Sequence, residues 1–214
     1  RRSPRASARA AGTMARARIG AGVATAVQLA GRDASAMAGA ARMAEAEGAP
    51  MIDINMGCPA KKVVGGLSGS ALMRDLDLAL RLIDAVVGAV KVPVSLKTRL
   101  GWDIDCLNAP ELAIRAEAAG VKMITIHGRT RAQFYTGRAD WSAIRAVREA
   151  VSIPVIANGD IVDAASARRA LAQSGADGVM VGRGAQGRPW LLAEIAAALY
   201  GTPAPHVPTG TALA

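Results

Sequence analysis

Six short apolar runs recur along the chain, and each is followed by a turn and then by a helical pattern. They are residues 25–30 (TAVQLA), 51–55 (MIDIN), 94–97 (VSLK), 123–127 (MITIH), 155–157 (VIA) and 178–181 (GVMV). Parallel strands buried on both faces require short, nearly continuous apolar stretches of this kind. Amphipathic stretches at 34–47, 72–90, 109–119, 141–150, 164–173 and 190–199 predict the intervening helices. Asp33, Asp75, Asp140 and Asp163 stand where helix N-caps belong. Gly48, Gly120 and Gly175 stand just past helix ends, where a left-handed residue is wanted. The segments EGAPMIDI, AGVKMITI and SGADGVMV share one helix-stop-then-strand shape, a weak internal repeat.

Six successive βα units predict a parallel sheet covered by helices. The candidates are a doubly wound open sheet and a TIM barrel. No G-x-G-x-x-G follows the first run, which counts against the first. Polar residues, among them Asn55, Lys97, His127 and Asn158, cluster instead at the carboxyl ends of the runs. Barrel enzymes build their sites there. The expected fold is therefore α/β, a TIM (β/α)8-type barrel, incomplete with about six βα units. Either two strands are missing from the front or the barrel is open. The barrel domain is expected over residues 24–200. A basic, disordered or poorly packed tail is expected over 1–23, and a frayed Pro/Gly/Thr-rich tail over 201–214.

Composition narrows this picture. At 214 residues and 51% apolar content the chain can build one sizeable core. Aromatics are only 3%, so the volume must come from Ala, Val, Ile, Leu and Met. The formal charge is +9, but Arg1, Arg2, Arg5, Arg9, Arg16 and Arg18 hold six of it, leaving +3 for the rest. The body is thus mildly basic, which suits a polyanionic partner only weakly. Two cysteines, Cys58 and Cys106, make no disulfide framework and lack metal spacing, so the expectation is a reducing, cytoplasmic setting with no metal. No apolar run is long enough to span a bilayer. The Arg/Ala/Ser-rich start superficially resembles an organelle transit peptide, but a plain Ala/Arg-rich read-through is the favoured reading.

The most specific chemistry lies in residues 52–71, IDINMGCPAKKVVGGLSGSA. A strand delivers Asn55 to a Gly-Cys-Pro turn, in which Gly57 allows an unusual backbone angle and Pro59 adds stiffness. That turn would hold the Cys58 thiol at the barrel mouth. Lys61 and Lys62 follow, and nearby ammonium groups stabilise a thiolate as proton donor or nucleophile. Most lone cysteines are inert small hydrophobes. That reading is kept for Cys106, while the Gly-Cys-Pro context favours a functional thiol at Cys58.

In VPVSLKTRLGWD (92–103), Lys97 ends a strand, and Arg99 shares its face if the strand extends that far. Lys97 could neutralise an anionic ring edge or a phosphate, or pair with a barrel carboxylate such as Asp53. In ITIHGRTRAQFYTGRADW (124–141), His127 ends a strand. Arg129, Arg131 and Arg138 are interleaved with Phe134 and Tyr135, which suits a flipped or single-stranded base. The plainer reading makes the arginines a solvated face. Asn158-Gly159-Asp160 and Gly182-Arg183-Gly184 close the last two runs. Paired turns of this kind hold phosphate in barrels, through backbone N–H groups and, here, the charge of Arg183.

DINMGCPAKKV, GSAL, LKTRLGWD, TIHGRTRAQFYTGRADW, PVIANGDI and GRGAQGRPW, in this order, resemble the tRNA-dihydrouridine synthases, particularly the bacterial branch once called nitrogen-regulation proteins. The resemblance covers roughly residues 24–200 and is specific in its Gly-Cys-Pro-Ala-Lys-Lys run. It implies a TIM barrel holding FMN, followed by a small helical domain that grips tRNA. It further implies that reduced FMN adds hydride to C6 of a uridine while a cysteine protonates C5, with NADPH as reductant. Cys58 matches the proton donor. Gln28, Lys97, His127, Asn158, Gly159, Asp160, Gly182 and Arg183 match flavin-contact positions. Asn55 and Arg99 match positions where base and flavin meet, and with Lys61, Arg129 and Arg131 they are read as substrate contacts.

Two departures stand beside the resemblance. Residues 1–23 carry no Pro-Met-(Ala/Gly) turn, and no segment matches the tRNA-gripping helical domain. The expectation is a truncated chain with unpaired sheet edges and marginal stability. The rival functions are an FMN barrel acting on free pyrimidines and an inactive remnant that binds RNA.

Overall fold

The computed structural model describes residues 25–65 and 67–207. The expectations for residues 1–23 and for 208–214 fall outside this range, and 201–207 carry neither helix nor strand. Six strands form one parallel sheet in sequence order: β1 (Val27–Leu29), β2 (Ile52–Asn55), β3 (Val94–Arg99), β4 (Met123–His127), β5 (Val155–Asn158) and β6 (Gly178–Met180). Helices alternate with them: α1 (Ala34–Ala46), α2 (Lys61–Val64), α3 (Leu76–Val87), α4 (Ala109–Ala118), α5 (Arg145–Ala150), α6 (Ala164–Ser174) and α7 (Leu191–Tyr200). This is the expected α/β architecture, a TIM-type barrel represented by six of its units.

Every predicted strand is present, and β3 runs two residues further than its apolar run. Thr98 and Arg99 are polar, so hydrophobicity alone could not reveal them. The predicted helix over 72–90 is divided. Residues Gly69–Arg74 form a 3-10 turn, and α3 starts only after Asp75, whose carboxylate accepts from the Leu78 N–H at 2.9 Å. The cap was legible, but the apolar residues before it belong to a separate buried turn. Asp33 caps α1, and Asp163 forms a reciprocal capping box with Ser166 on α6. Asp140 accepts from Ala143 N–H at 3.0 Å and so opens the 3-10 turn leading to α5.

Strand residues alternate between two faces. Ile52, Ile54, Val94, Leu96, Ile124, Ile126, Val155 and Ala157 are fully buried against Leu82, Ile83, Leu112 and Val147 of the helices. Truncating one such Leu or Ile to Ala typically costs about 2–5 kcal/mol. The other face carries Asp53, Asn55, Lys97, Arg99, Thr125, His127 and Asn158. Acidic side chains at helix ends anchor the strand starts. Glu45 accepts from the N–H groups of Lys91 and Val92, and Glu117 from those of Ser152 and Ile153. The sheet thus carries an apolar outer face and a polar inner one, and the polar side chains converge at its carboxyl end.

Candidate active site at the carboxyl ends of the strands

Residues Asn55, Cys58, Lys97, Arg99, His127, Tyr135, Asn158, Asp160 and Arg183 border one cavity of about 500 Å³. That size lies within the roughly 300–1,000 Å³ typical of small-molecule sites. β3 contributes Lys97 and Arg99 on one face, as their two-residue spacing allows. The register sets Asn55 beside Lys97, Arg99 beside His127 and His127 beside Asn158.

The Cys58 turn is held from every side. Asn55 Oδ1 accepts from the N–H groups of Gly57 and Cys58, at 3.1 and 2.9 Å. Asn55 Nδ2 donates to Gln28 Oε1 at 2.8 Å, and Gln28 Nε2 donates to Asp53 Oδ2 at 2.6 Å. The Cys58 carbonyl accepts from both the N–H and the hydroxyl of Ser70, at 3.0 and 2.9 Å. Gly69 makes that approach possible. Its φ is 59°, and a Cβ there would stand 2.7 Å from the Cys58 carbonyl oxygen. The Gly57 carbonyl accepts from Arg99 Nε at 2.7 Å. Asn55 is therefore the brace of the turn, and Gln28 acts one step behind it without bordering the cavity.

Arg99 is only 1% exposed and ties this turn to the loop after β4. Its Nη1 donates to the carbonyls of Thr130 and Phe134, both at 3.0 Å. Phe134 holds φ at 53° to present that carbonyl, and its ring packs edge-on against Tyr135 at 4.8 Å. The Tyr135 ring in turn lies 5.7 Å from the Arg99 guanidinium and 4.8 Å from that of Arg183. Ser70 was not singled out from the sequence, and Tyr135 was named only together with Phe134 as an aromatic pair. The Phe-Tyr pair was visible, but nothing in the pattern told which ring faces the cavity.

The Lys97 side chain makes no hydrogen bond or ion pair among the described residues. Asp53, its alternative partner, is engaged by Gln28 and by Ser95 Oγ at 2.7 Å. Burial, and then the charge of Arg99, brings the Lys97 ammonium down to about 8, against the opposing charge of Asp53. Burial also raises the Asp53 carboxyl, while its hydrogen bonds and Lys97 oppose that. His127 is pulled down to about 3, first by burial and then by the positive charges of Arg99, Lys97 and Arg129. It is therefore neutral. Arg129 can only donate, so its 3.4 Å contact with His127 Nε2 fits the tautomer that carries the proton on Nδ1.

Arg129, read from the sequence as a substrate contact, turns its donors inward. It is 2% exposed and bidentate to Asp160 at 3.0 and 2.8 Å, with further bonds to the carbonyls of Thr136 and Gly137. Burial alone would raise the Asp160 carboxyl, but the bonds from Arg129 and from Ala139 N–H hold it below the usual range. Asp160, read as a flavin contact, is thus the anchor of Arg129. Gly159 has φ 109°, and its missing side chain leaves room for the His127 ring. Gly182 faces open space, and a 3-10 turn, Arg183–Ala185, follows it. Arg183 is largely exposed, with Asp160 at 3.9 Å. Arg131 is placed outside the cavity wall, over Trp102. The Lys61 side chain lies outside the described residues. Cys106 is half-buried with its Sγ 4.0 Å from the Met73 carbonyl.

The cavity therefore offers one thiol on a rigid turn, an unpaired ammonium and a neutral imidazole. Glycine-rich turns and Arg183 line the same cavity. The arrangement suits an anionic, partly flat ligand and a proton transfer beside it. Among the described residues no group of three or more His, Cys, Asp or Glu side chains could hold a metal ion, and no helix is long and apolar enough to cross a membrane.

Comparison with known proteins agrees with this geometry. The family described as Dihydrouridine synthase (Dus) matches residues 9–213. A probable tRNA-dihydrouridine synthase of Rhodobacter capsulatus is 72% identical over 197 residues, covering 92% of this chain and 61% of the relative. The tRNA-dihydrouridine synthase B of Yersinia pestis is 55% identical over 169 residues, covering 79% of this chain and 53% of that protein. The chain thus spans less than two thirds of the length of these relatives. Among solved structures, a mandelate racemase/muconate lactonizing enzyme from Roseiflexus matches with a TM-score of 0.53 and 18% identity, over 73% of this chain and 39% of that one. At that identity the likeness concerns the fold alone.

Proposed function

The chain belongs to the dihydrouridine synthase family, and on that footing we propose that it reduces a uridine of tRNA to 5,6-dihydrouridine, with FMN as the bound flavin and NADPH as the reductant. The observation that carries the reading is the Cys58 turn, braced at the mouth of a cavity that also holds the half-buried Lys97 ammonium, which makes no hydrogen bond or ion pair among the described residues. The residues present fit FMN. Lys97 suits the electron-rich edge of the ring, and neutral His127 offers a hydrogen bond without a charge. Asn158 and Gly159 line the same side, while the glycine turn at 182–184 and Arg183 suit the phosphate. Reduced flavin, when bound, supplies the hydride that adds to C6 of the base.

The remaining steps belong to the protein. Negative charge building on the uracil carbonyl must be met by a cation or a hydrogen-bond donor, and Lys97 and Arg99 border the space where the base would sit. Cys58 delivers the proton to C5 as its S–H bond breaks, so that hydride and proton together saturate the C5–C6 bond. The target base must leave its stack to enter the cavity, and Tyr135 gives it an aromatic wall. The cytoplasm, where tRNA and NADPH meet, is the matching location. The barrel domain over 24–200 is the FMN-binding unit of this proposal.

The test is dihydrouridine formation on unmodified tRNA with FMN and NADPH, for the wild-type chain and Cys58→Ala. Loss of a positioned acid is worth roughly 10²–10⁴ in rate, so the variant should lose at least a hundredfold while still binding tRNA. Equal turnover by the variant would reject Cys58 as donor. Reduction of free uracil with none on tRNA would favour a barrel acting on free pyrimidines.

A further inference from the structure

Just outside the cavity, two arginines share one tryptophan. The guanidinium carbons of Arg74 and Arg131 stand 4.9 and 4.7 Å from the Trp102 ring centroid. Neither side chain has a carboxylate partner or a hydrogen bond among the described residues, and Arg131 Nε is buried without an acceptor. The acids nearest in sequence are otherwise engaged. Asp75 caps α3, and Asp103 Oδ1 accepts from the Asp105 N–H. Two like charges that share one ring, with their donors unmet, repel each other, and a bound anion relieves that repulsion.

The position of this pair relative to the cavity is fixed by the backbone. Arg131 N–H donates to the Gly101 carbonyl and Ala132 N–H to the Trp102 carbonyl, which locks the loop after β4 onto the loop after β3. Thr130, the neighbour of Arg131, gives its carbonyl to Arg99, whose Nε holds the Cys58 turn. The arginine pair therefore stands on the same stitched rim as Cys58.

We propose that Arg74, Trp102 and Arg131 form a phosphate-binding contact for the RNA strand whose base enters the Cys58 cavity. This rests on the reading of the cavity as a site for a tRNA uridine. Planar guanidinium groups that rest against an indole can still pair their terminal N–H groups with phosphate oxygens in a bidentate manner. The contact is blind to sequence and positions the strand.

The test is binding of unmodified tRNA as a function of salt, by wild type, by Arg74→Gln/Arg131→Gln and by Arg74→Lys/Arg131→Lys, all with matched thermal melts. Each lost phosphate contact lowers the slope of log affinity against log salt by roughly 0.7–0.9. The Gln pair should therefore lose about 1.5 in slope and roughly thirtyfold in affinity near 0.1 M salt. The Lys pair should keep the wild-type slope, because the charge remains. In turnover, the Gln pair should raise KM for tRNA and leave kcat unchanged. A Gln pair that keeps the wild-type slope overturns the proposal, as does a wild-type chain whose tRNA affinity does not respond to salt. Salt-dependent binding without dihydrouridine would instead count against the activity, and the slope would still decide the contact.

Discussion

Arg129→Met removes a buried guanidinium and leaves its partners in place. Arg129 is 2% exposed and makes two bonds to Asp160 and one each to the carbonyls of Thr136 and Gly137. Breaking one side of a buried pair costs about 3–5 kcal/mol. The orphaned carboxylate keeps the Ala139 N–H, and its side chain is 30% exposed, so water recovers part of that. The expected loss is about 3 kcal/mol, or roughly 6–12 °C in Tm for a chain of this size. Urea unfolding followed by circular dichroism measures it. Asp160→Asn/Arg129→Met should cost clearly less than the two single substitutions together, by about 1 kcal/mol or more, because the two groups act as one unit. A single variant within about 0.5 kcal/mol of wild type, or strict additivity in the cycle, would refute the view that this pair holds the loop over residues 128–140.

Gly69→Ala must hold a Cβ at φ 59° and 2.7 Å from the Cys58 carbonyl. It should lose about 1–3 kcal/mol and change the rate at which iodoacetamide alkylates Cys58, an assay that reads the turn directly. Lys97 titrates near 8 in the free protein, so FMN affinity should decline as pH rises through that value. Lys97→Met should bind weakly and without that pH dependence, as a fluorescence titration would show. His127 has its proton affinity depressed to about 3 by folding. Below the unfolded value near 6.5 the unfolded chain binds a proton that the native one refuses, so stability should fall as pH drops from 6.5 towards 3. The slope from this group is at most about 1.4 kcal/mol per pH unit, and His127→Gln should flatten it in denaturation curves.

The strands were legible because parallel strands covered on both sides need apolar runs, and each of the six runs became one. The strand-end residues Asn55, Lys97, His127 and Asn158 were legible by position and do meet in one cavity. Their partners were not. Arg129 and Asp160 lie 31 residues apart in sequence, and no local pattern tells a buried, paired arginine from a solvated or ligand-facing one. The same holds for Ser70, which meets the Cys58 carbonyl only because Gly69 adopts a left-handed turn. Arg131 was read as a substrate contact because basic and aromatic residues alternate in its loop, and its side chain lies over Trp102, beside the cavity rather than in its lining.

The measurement that bears most directly on the account is the visible absorption spectrum of the purified chain after incubation with FMN and removal of the free flavin. A bound-flavin spectrum in the wild type, released on denaturation and lost in Lys97→Met, is the predicted result. A colourless wild-type protein with an intact fold by circular dichroism would contradict the assignment of this cavity to a flavin.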